Sequence, residues 1–415
     1  MRRNAKKKSS KRTKRPSGPL AGIRVLDFSS YIAGPYGCSL LADLGAEVIK
    51  IEAPAGDTLR HYPSTLAQES RAFLGVNRSK RSIVIDAKRR ESAPVLRRLV
   101  KTADVVVHNF RPSVPARLGL DYDTLQKIKP RLIYCALTGY GDDGPLKDKA
   151  GFDQVLQSMT GICRFQGSQD KAEIVMGSVV DFYAAASIAY GVSAALYHQK
   201  HTGKGQYVGI SLLASALAMQ SGRFIWAESE PRDANRDLRS GGITGIHPTR
   251  SGEIYISANT PHFWQSLCEI VGLPELAADP NYDSVRKRAQ RASEIVPKIR
   301  AALMTKRALE WEQLFGERVP CGAVRPMEEM FDHQQVIAQG LAHSFHHRSI
   351  GHYTGIANPI RFSASGGSEP FAAPTLGEHT DEILKRLGFS QREVAALRKA
   401  GVLAPAPAPA DQGSV

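Results

Sequence analysis

The sequence predicts an α/β fold whose main domain is a parallel, doubly wound sheet. Three observations predict it: short Val/Ile-rich runs without polar alternation, helical segments between them, and a length of 415 residues that exceeds what one core usually holds. A strand buried on both faces needs a continuous apolar run, and a crossover helix is what joins two parallel neighbours. In such a sheet ligands collect outside the carboxyl ends of the strands.

Taken in order, IRVLDFSS reads as the first strand, GPYGCSLLADLGA as a helix opened by Gly-Pro, and AEVIKIEAP as the second strand, which makes a βαβ unit. The pattern continues through strand SIVIDA (82–87), helix ESAPVLRRLVKTA (91–103), strand DVVVHNF (104–110) and strand RLIYCALTGY (131–140). Residues 177–213 then set Asp181 ahead of a long Ala-rich helix that TGKGQ (202–206) ends in a glycine turn. Small residues at 184–187 and 193–195 allow that helix to pack closely. An aspartate at a helix N-terminus faces free N–H groups and the positive end of the macrodipole, so it is expected to be ionised; from spacing alone it is a helix cap or a reactive carboxylate.

Beyond this helix, SEPRDANRDLRSGG (229–242) reads as a linker. A second domain follows: strand EIYISA (253–258), helices HFWQSLCEIVGL (262–273), SEIVPKIRAALM and ALEWEQLFGERV, and a strand or turn VPCGAV (319–324). From about 340 the chain is strand-like again, and GEHTDEILKRLGFSQREVAALRKAGV reads as two short helices. The closing APAPAPADQGSV has no core-forming residues and is expected to be disordered.

The formal charge of +15 suggests a nucleic-acid binder until its location is considered: nine Lys and Arg residues lie within the first fifteen positions. The basic signal belongs to a solvated tail, which leaves non-enzymatic nucleic-acid binding through that tail as an alternative of a different class. The five cysteines, Cys38, Cys135, Cys163, Cys268 and Cys321, are scattered and form no C-x-x-C pair, as expected of a reducing, cytoplasmic setting without a disulfide framework. The apolar run Phe182–Tyr197 is short for a membrane span and contains Gly191, so no transmembrane segment is expected.

No metal site is expected either. His346, His347 and His352 cluster, but without acids or cysteines at ligand spacing. Gly139, Gly141 and Gly144 match G-x-G-x-x-G, and Glu52 ends the second strand where a ribose-binding acid sits in dinucleotide enzymes. The context is wrong, because those glycines do not follow the first strand and run into Pro145 rather than a helix. There is no G-x-S-x-G elbow to support serine hydrolase chemistry.

Several blocks together resemble the family III CoA-transferases: PLAGIRVLDFSSYIAGPYGCSLLADLGAEVIKIEAPAGD, NRSKRSIVID, ADVVVHNFRP, ARLGL, LTGYGDDGP, GFDQVLQSMTG, the Asp181 segment through TGKGQYVGISLL, VPCGAV and GEHTDE. They run from Pro19 to about Val402. The resemblance implies a Rossmann-like large domain built from both ends of the chain, a smaller α+β domain, and two subunits threaded into an interlocked homodimer. The expected divisions are a basic tail 1–18, large domain 19–225, small domain 226–330, a return to the large domain over 331–402, and a tail 403–415. It further implies Asp181 as the nucleophile, acyl-CoA and a small carboxylic acid as substrates, and no permanently bound cofactor.

For CoA the resemblance points to Asn77, Arg78, Ser79 and Lys80, to Asn109, Phe110 and Arg111, to Arg117, and to Thr138, Gly139, Tyr140 and Gly141, with Lys80, Arg111 and Arg117 meeting phosphates. A glycine-rich lid is expected at Gly241, Gly242 and Gly245. Two positions depart from some members: Ile32 stands near the reacting thioester where a polar residue can occur, and Ala53 near the nucleotide where an arginine can occur. The same fold includes 2-methylacyl-CoA racemases, which use a histidine from a G-H-D segment. Here the segment is Gly151, Phe152 and Asp153, so a racemase is the second reading and Asp153 is expected to have a supporting role.

Overall fold

The computed structural model describes residues 17–166, 171–231 and 242–403. The basic tail, most of the linker, Gly241 and the Ala-Pro end therefore lie outside the described residues. The chain divides into two compact units, Met1–Ile225 with Ala338–Val415, and Trp226–Ile337. The second break lies past the expected 330. Arg325 pairs with both Glu312 and Glu329, which ties the segment after the third strand of the smaller unit back to that unit.

Six parallel strands form the larger unit's sheet: β1 (Arg24–Asp27), β2 (Glu47–Glu52), β3 (Lys80–Val84), β4 (Val105–His108), β5 (Ile133–Thr138) and β6 (Tyr207–Ser211), in the order β3-β2-β1-β4-β5-β6. The strand order reverses between β1 and β4, which opens a crevice at their carboxyl ends. The last strand was not apparent in the sequence: YVGIS is an edge strand, mostly exposed and interrupted by Gly209, and carries no continuous apolar run.

Alternate residues of the inner strands feed two cores. Val25, Val105, Val107, Ile133 and Cys135 face helix α1 (Ala33–Asp43) and the central helix Val179–Thr202. Leu26, Val106, Tyr134 and Ala136 face the other side, where Ile383, Leu384, Phe389 and Val402 from the end of the chain join the cluster. Each fully buried Val, Leu or Ile contributes about 1.5–3 kcal/mol, so this two-sided burial explains why the strands read as unbroken apolar runs.

The central helix packs against α1 at close range. A Cβ on Gly37 would lie 2.8 Å from Cβ of Ile188, so only glycine fits there. The helix has 24 residues, longer than the apolar run suggested, and among the described residues it is long and apolar enough to cross a membrane by length and composition. Val180, Ala184, Ile188, Val192 and Ala195 lie in the core, which accounts for that composition. Gly203, at φ 72°, closes it as expected.

The residues 338–403 add a hairpin, β10 (Ala342–His347) and β11 (Gly351–Ile356), in which His346 faces His352. The smaller unit has its own antiparallel sheet, β7 (Gly245–Pro248), β8 (Glu253–Ile256) and β9 (Cys321–Ala323), with a core of Ile254, Trp264, Leu267, Ile299, Trp311 and Phe315.

Candidate active site

The crevice begins with a pair of backbone ends. At the carboxyl end of β4, the Asn109 side-chain amide donates to the Ser30 carbonyl at 2.7 Å, and its carbonyl accepts the Ser30 N–H at 3.0 Å. This clamp fixes the segment after β1 to the segment after β4. Beneath it lies a fully buried ionic group. Lys80 donates to Asp27 and Asn77, both at 2.8 Å, and to the Pro35 carbonyl at 2.7 Å, while Lys50 pairs with Asp57 at 2.8 Å and donates to the Ser29 carbonyl. Burial alone would raise the Asp27 carboxyl, but the Lys80 and Lys50 ammonium groups outweigh it and bring it down to about 2. Asp57 in turn accepts the Tyr31 N–H at 3.1 Å.

The other wall depends on two glycines. A Cβ on Gly139, just past β5, would meet the Gly151 Cα at 2.9 Å, and one on Gly151 would meet the Gly139 Cα at 2.6 Å. Their contact brings Phe152 and Asp153 to the sheet's carboxyl edge. Asp153 is buried and accepts the backbone N–H groups of Val180 at 2.7 Å and Asp181 at 3.0 Å.

Asp153 therefore caps the central helix, which corrects the expectation for Asp181. Asp181 lies in the first turn of the helix, half-buried, and its carboxylate accepts no hydrogen bond from the described residues. Burial, reinforced by the neighbouring Asp153 carboxylate, pushes it up to about 7 rather than holding it firmly ionised. It opens into a cavity of about 180 Å³ lined by Ser30, Tyr31, Ile32, Tyr62, Asn109, Thr138, Gly139, Phe152 and Ser178.

A second cavity of about 600 Å³ adjoins this one through Ser30 and lies over the carboxyl ends of β1, β2, β3 and β4. Lys50, Glu52, Ala53, Asp57, Asp86, Lys88, Phe110 and Arg117 are among the residues that line it. Phe110 is held by His108, whose ring stacks on it at 5.2 Å and accepts its N–H at 3.1 Å. Burial lowers His108 to about 4, so at neutral pH it is an uncharged acceptor.

The candidate residues distribute unevenly over these two cavities. Asp181, Asn109, Thr138 and Gly139 line the first, and Phe110 and Arg117 the second. Arg111 is exposed and lines neither. Asn77, Arg78, Ser79 and Lys80 do not line them and need correction. They stand at the amino end of β3, where Arg78 is buried against Asp43 and Lys80 is occupied by Asp27, so neither of these two cations is free to meet a phosphate. Tyr140 is a core side chain, and Gly141, at φ 110°, borders a neighbouring depression with Asp142. Glu52 is buried against Arg60 at 2.8 Å and accepts from Ser82, a structural role.

Sequence reasoning missed Lys50, Lys88, Tyr31 and Tyr62. Lys88 was accessible to the rule already in use, since it lies four residues past the carboxyl end of β3. Of the lid residues, Gly241 lies outside the described residues. Gly242 is at φ 87° and Gly245 opens β7 opposite Ile256, both within the smaller unit.

Comparison with known proteins places this geometry in context. A family model described as CoA-transferase family III matches residues 20–380. The succinyl-CoA:glutarate CoA-transferase of Mus musculus is 32% identical over 93% of this chain and 90% of its own. The formyl-CoA:oxalate CoA-transferase of Bradyrhizobium diazoefficiens is 34% identical over 93% of this chain and 97% of its own. Among solved structures, a CAIB/BAIF family protein from Brucella suis superposes with TM-score 0.79 at 28% identity, over 89% of this chain and all of that one. A hypothetical protein from Mycobacterium tuberculosis does so at 0.77 and 30%, again over 89% of this chain and all of its own.

Proposed function

The chain belongs to CoA-transferase family III and is an acyl-CoA:carboxylate CoA-transferase; from that premise we propose that Asp181 carries the transfer covalently. One observation carries the reading: a carboxylate without hydrogen bonds among the described residues, pushed up to about 7, opens into a small cavity next to a larger one that Lys88 and Arg117 help to line. Near neutral pH a substantial fraction is ionised, and its raised basicity makes it a better nucleophile than an ordinary carboxylate.

An Asp181 oxygen attacks the thioester carbonyl carbon, the C–S bond breaks, and CoA leaves as thiolate from a mixed anhydride. The thiolate attacks the aspartyl carbonyl carbon, releasing the donor acid as carboxylate and leaving an Asp181–CoA thioester. The acceptor carboxylate then attacks that thioester to give a second mixed anhydride, and thiolate attack on the acceptor's carbonyl carbon frees Asp181. No proton transfer is needed at any step, so no general base is required. Water would hydrolyse each intermediate, so the small volume of the cavity and the apolar part of its wall support this reading.

The larger cavity suits the nucleotide part of CoA, with Lys88 and Arg117 toward phosphate and Phe110 toward the adenine or pantetheine. A second copy of the chain belongs to the same reading, because Tyr190 and Tyr197 of the central helix are 68% and 69% exposed. A reducing compartment such as the cytoplasm fits the five free thiols. Against racemisation, Phe152 occupies the cavity position where a proton-transferring histidine would be needed. Oxalate and glutarate, the acids in the relatives' names, are dicarboxylates and form the reference set for this chain's own acid.

The test is intact mass after incubation with a panel of acyl-CoA thioesters and hydroxylamine. A protein hydroxamate in the parent and none in Asp181→Ala is expected. Adduct formation that survives Asp181→Ala, or α-deuterium exchange without any acceptor acid, overturns the proposal.

A further inference from the structure

The wall of the Asp181 cavity is mixed. Tyr31, Ile32, Tyr62, Leu137, Phe152 and Leu212 supply its apolar part and Ser30, Asn109, Thr138, Gln154 and Ser178 its uncharged polar part, and among the described residues no lysine, arginine or histidine lines it. Its charged groups are two carboxylates, Asp181 and Asp153. Three aromatic rings stand edge-on in sequence, Tyr62 to Tyr31 at 6.1 Å and Tyr31 to Phe152 at 5.6 Å. Tyr31 takes φ 66°, a left-handed conformation that a bulky residue holds only where its surroundings enforce it, and the bond from its N–H to Asp57 does so. Tyr62 and Phe152 are 45% and 49% exposed, so they are large apolar groups at a cavity rim rather than core packing.

Resting on the transferase reading above, we infer that the acid exchanged at this site is a monocarboxylate with an uncharged apolar body, aromatic by preference, and that Tyr31, Tyr62 and Phe152 select it. The reacting carboxylate lies beside Asp181, so the body of the acid lies among the rings. There an aryl group gains edge-to-face contacts and covers the exposed rim. A second carboxylate in the same place would lose its hydration, find no cation among the described lining residues, and stand near the Asp153 carboxylate. Discrimination of this kind, against a charge left unpaired, is far larger than one arising from fit alone.

The measurement is isotope exchange between a labelled acid and its own CoA thioester, which needs no knowledge of the second physiological acid. 3-Phenylpropanoate and glutarate are the compared pair: two methylenes lead to a phenyl ring in the first, and three lead to a second carboxylate in the other. With the full-length enzyme, kcat/KM for phenylpropanoate exchange should exceed that for glutarate by at least ~30-fold. In Phe152→Arg, and separately in Tyr62→Arg, phenylpropanoate exchange should fall about tenfold or more and glutarate exchange should rise. Equal or better glutarate exchange by the parent, or an unchanged ratio in both variants, overturns the inference and leaves the transferase reading standing. Exchange of neither acid also overturns it, and the hydroxylamine panel then decides the transferase reading separately.

Discussion

Two cavities share the carboxyl edge of one sheet and a single residue, Ser30, yet they differ in nearly every physical property. The larger is lined by Lys50, Lys88 and Arg117 together with Glu52, Asp57 and Asp86; Lys50 is taken up by Asp57 and Glu52 by Arg60, so Lys88 and Arg117 are the cations that can meet a polyanion. The smaller has rings, aliphatic groups, uncharged polar side chains and two carboxylates, and among the described residues no cation that could meet the same polyanion. The difference separates holding from reacting. A handle common to all CoA thioesters gains from strong, solvated charge contacts, whereas anhydride chemistry requires few donors, little water and a carboxylate not already hydrogen-bonded.

That division can be broken in graded ways. The largest effect is expected at Asp181: replacement by alanine removes the proposed nucleophile and should lower kcat by at least ~10⁴-fold with little change in CoA binding, measured by initial rates and by calorimetric CoA titration. A rate within tenfold of the parent would end the assignment.

Next comes the ionic group beneath both cavities. Lys80→Met leaves the Asp27 carboxylate buried without its main partner, and breaking such a pair costs about 3–5 kcal/mol. A clear drop in Tm with an unchanged KM for acyl-CoA is expected; the reverse would restore Lys80 to the binding surface. The same pairing predicts the acid limit. Asp27 is held near 2 in the folded chain, below its unfolded value, so the stability it contributes is present above about pH 4 and is lost as pH falls toward 2.

A smaller change is expected in the larger cavity, where Lys88→Ala or Arg117→Ala should raise KM for acyl-CoA about tenfold and leave kcat nearly intact, the signature of uniform binding. Loss of kcat instead would mean that the two cavities are not functionally distinct. The smallest is a shift in pH dependence. In the proposed mechanism Asp181 acts ionised, so kcat/KM should fall on the acid side near pH 7. Asp153→Asn removes a negative neighbour while keeping a carbonyl to accept the helix N–H groups, and should move that limb to lower pH by about one unit or less. A limb that stays in place would assign the raised value to burial alone.

The sheet was legible because strands such as RVLD and EVIKIE lie between two helical layers, and double burial leaves an unbroken apolar signature. Asp181 was legible as a position but not as a state. The sequence sets an acid at a helix start, and only the fold reveals that Asp153, distant in the chain, already occupies the helix N–H groups. Arg78 and Lys80 misled for a related reason. A cation next to a strand reads as a surface group, whereas here the partners that neutralise it, Asp43 and Asp27, come from segments tens of residues away. Tyr31 and Tyr62 carry no pattern at all in one dimension, since their significance lies in facing the same void.

The seam between Gly139 and Gly151 sets a limit on how this site can change over generations. With no room for even one methyl group on either side, the strand end and the loop bearing Phe152 and Asp153 move as one piece. Altered appetite for substrates is therefore open through swaps at the rim, at Phe152 or Tyr62, while the hinge of small residues behind them tolerates nothing bulkier. Novelty can accumulate at the mouth of the cavity because its floor cannot drift.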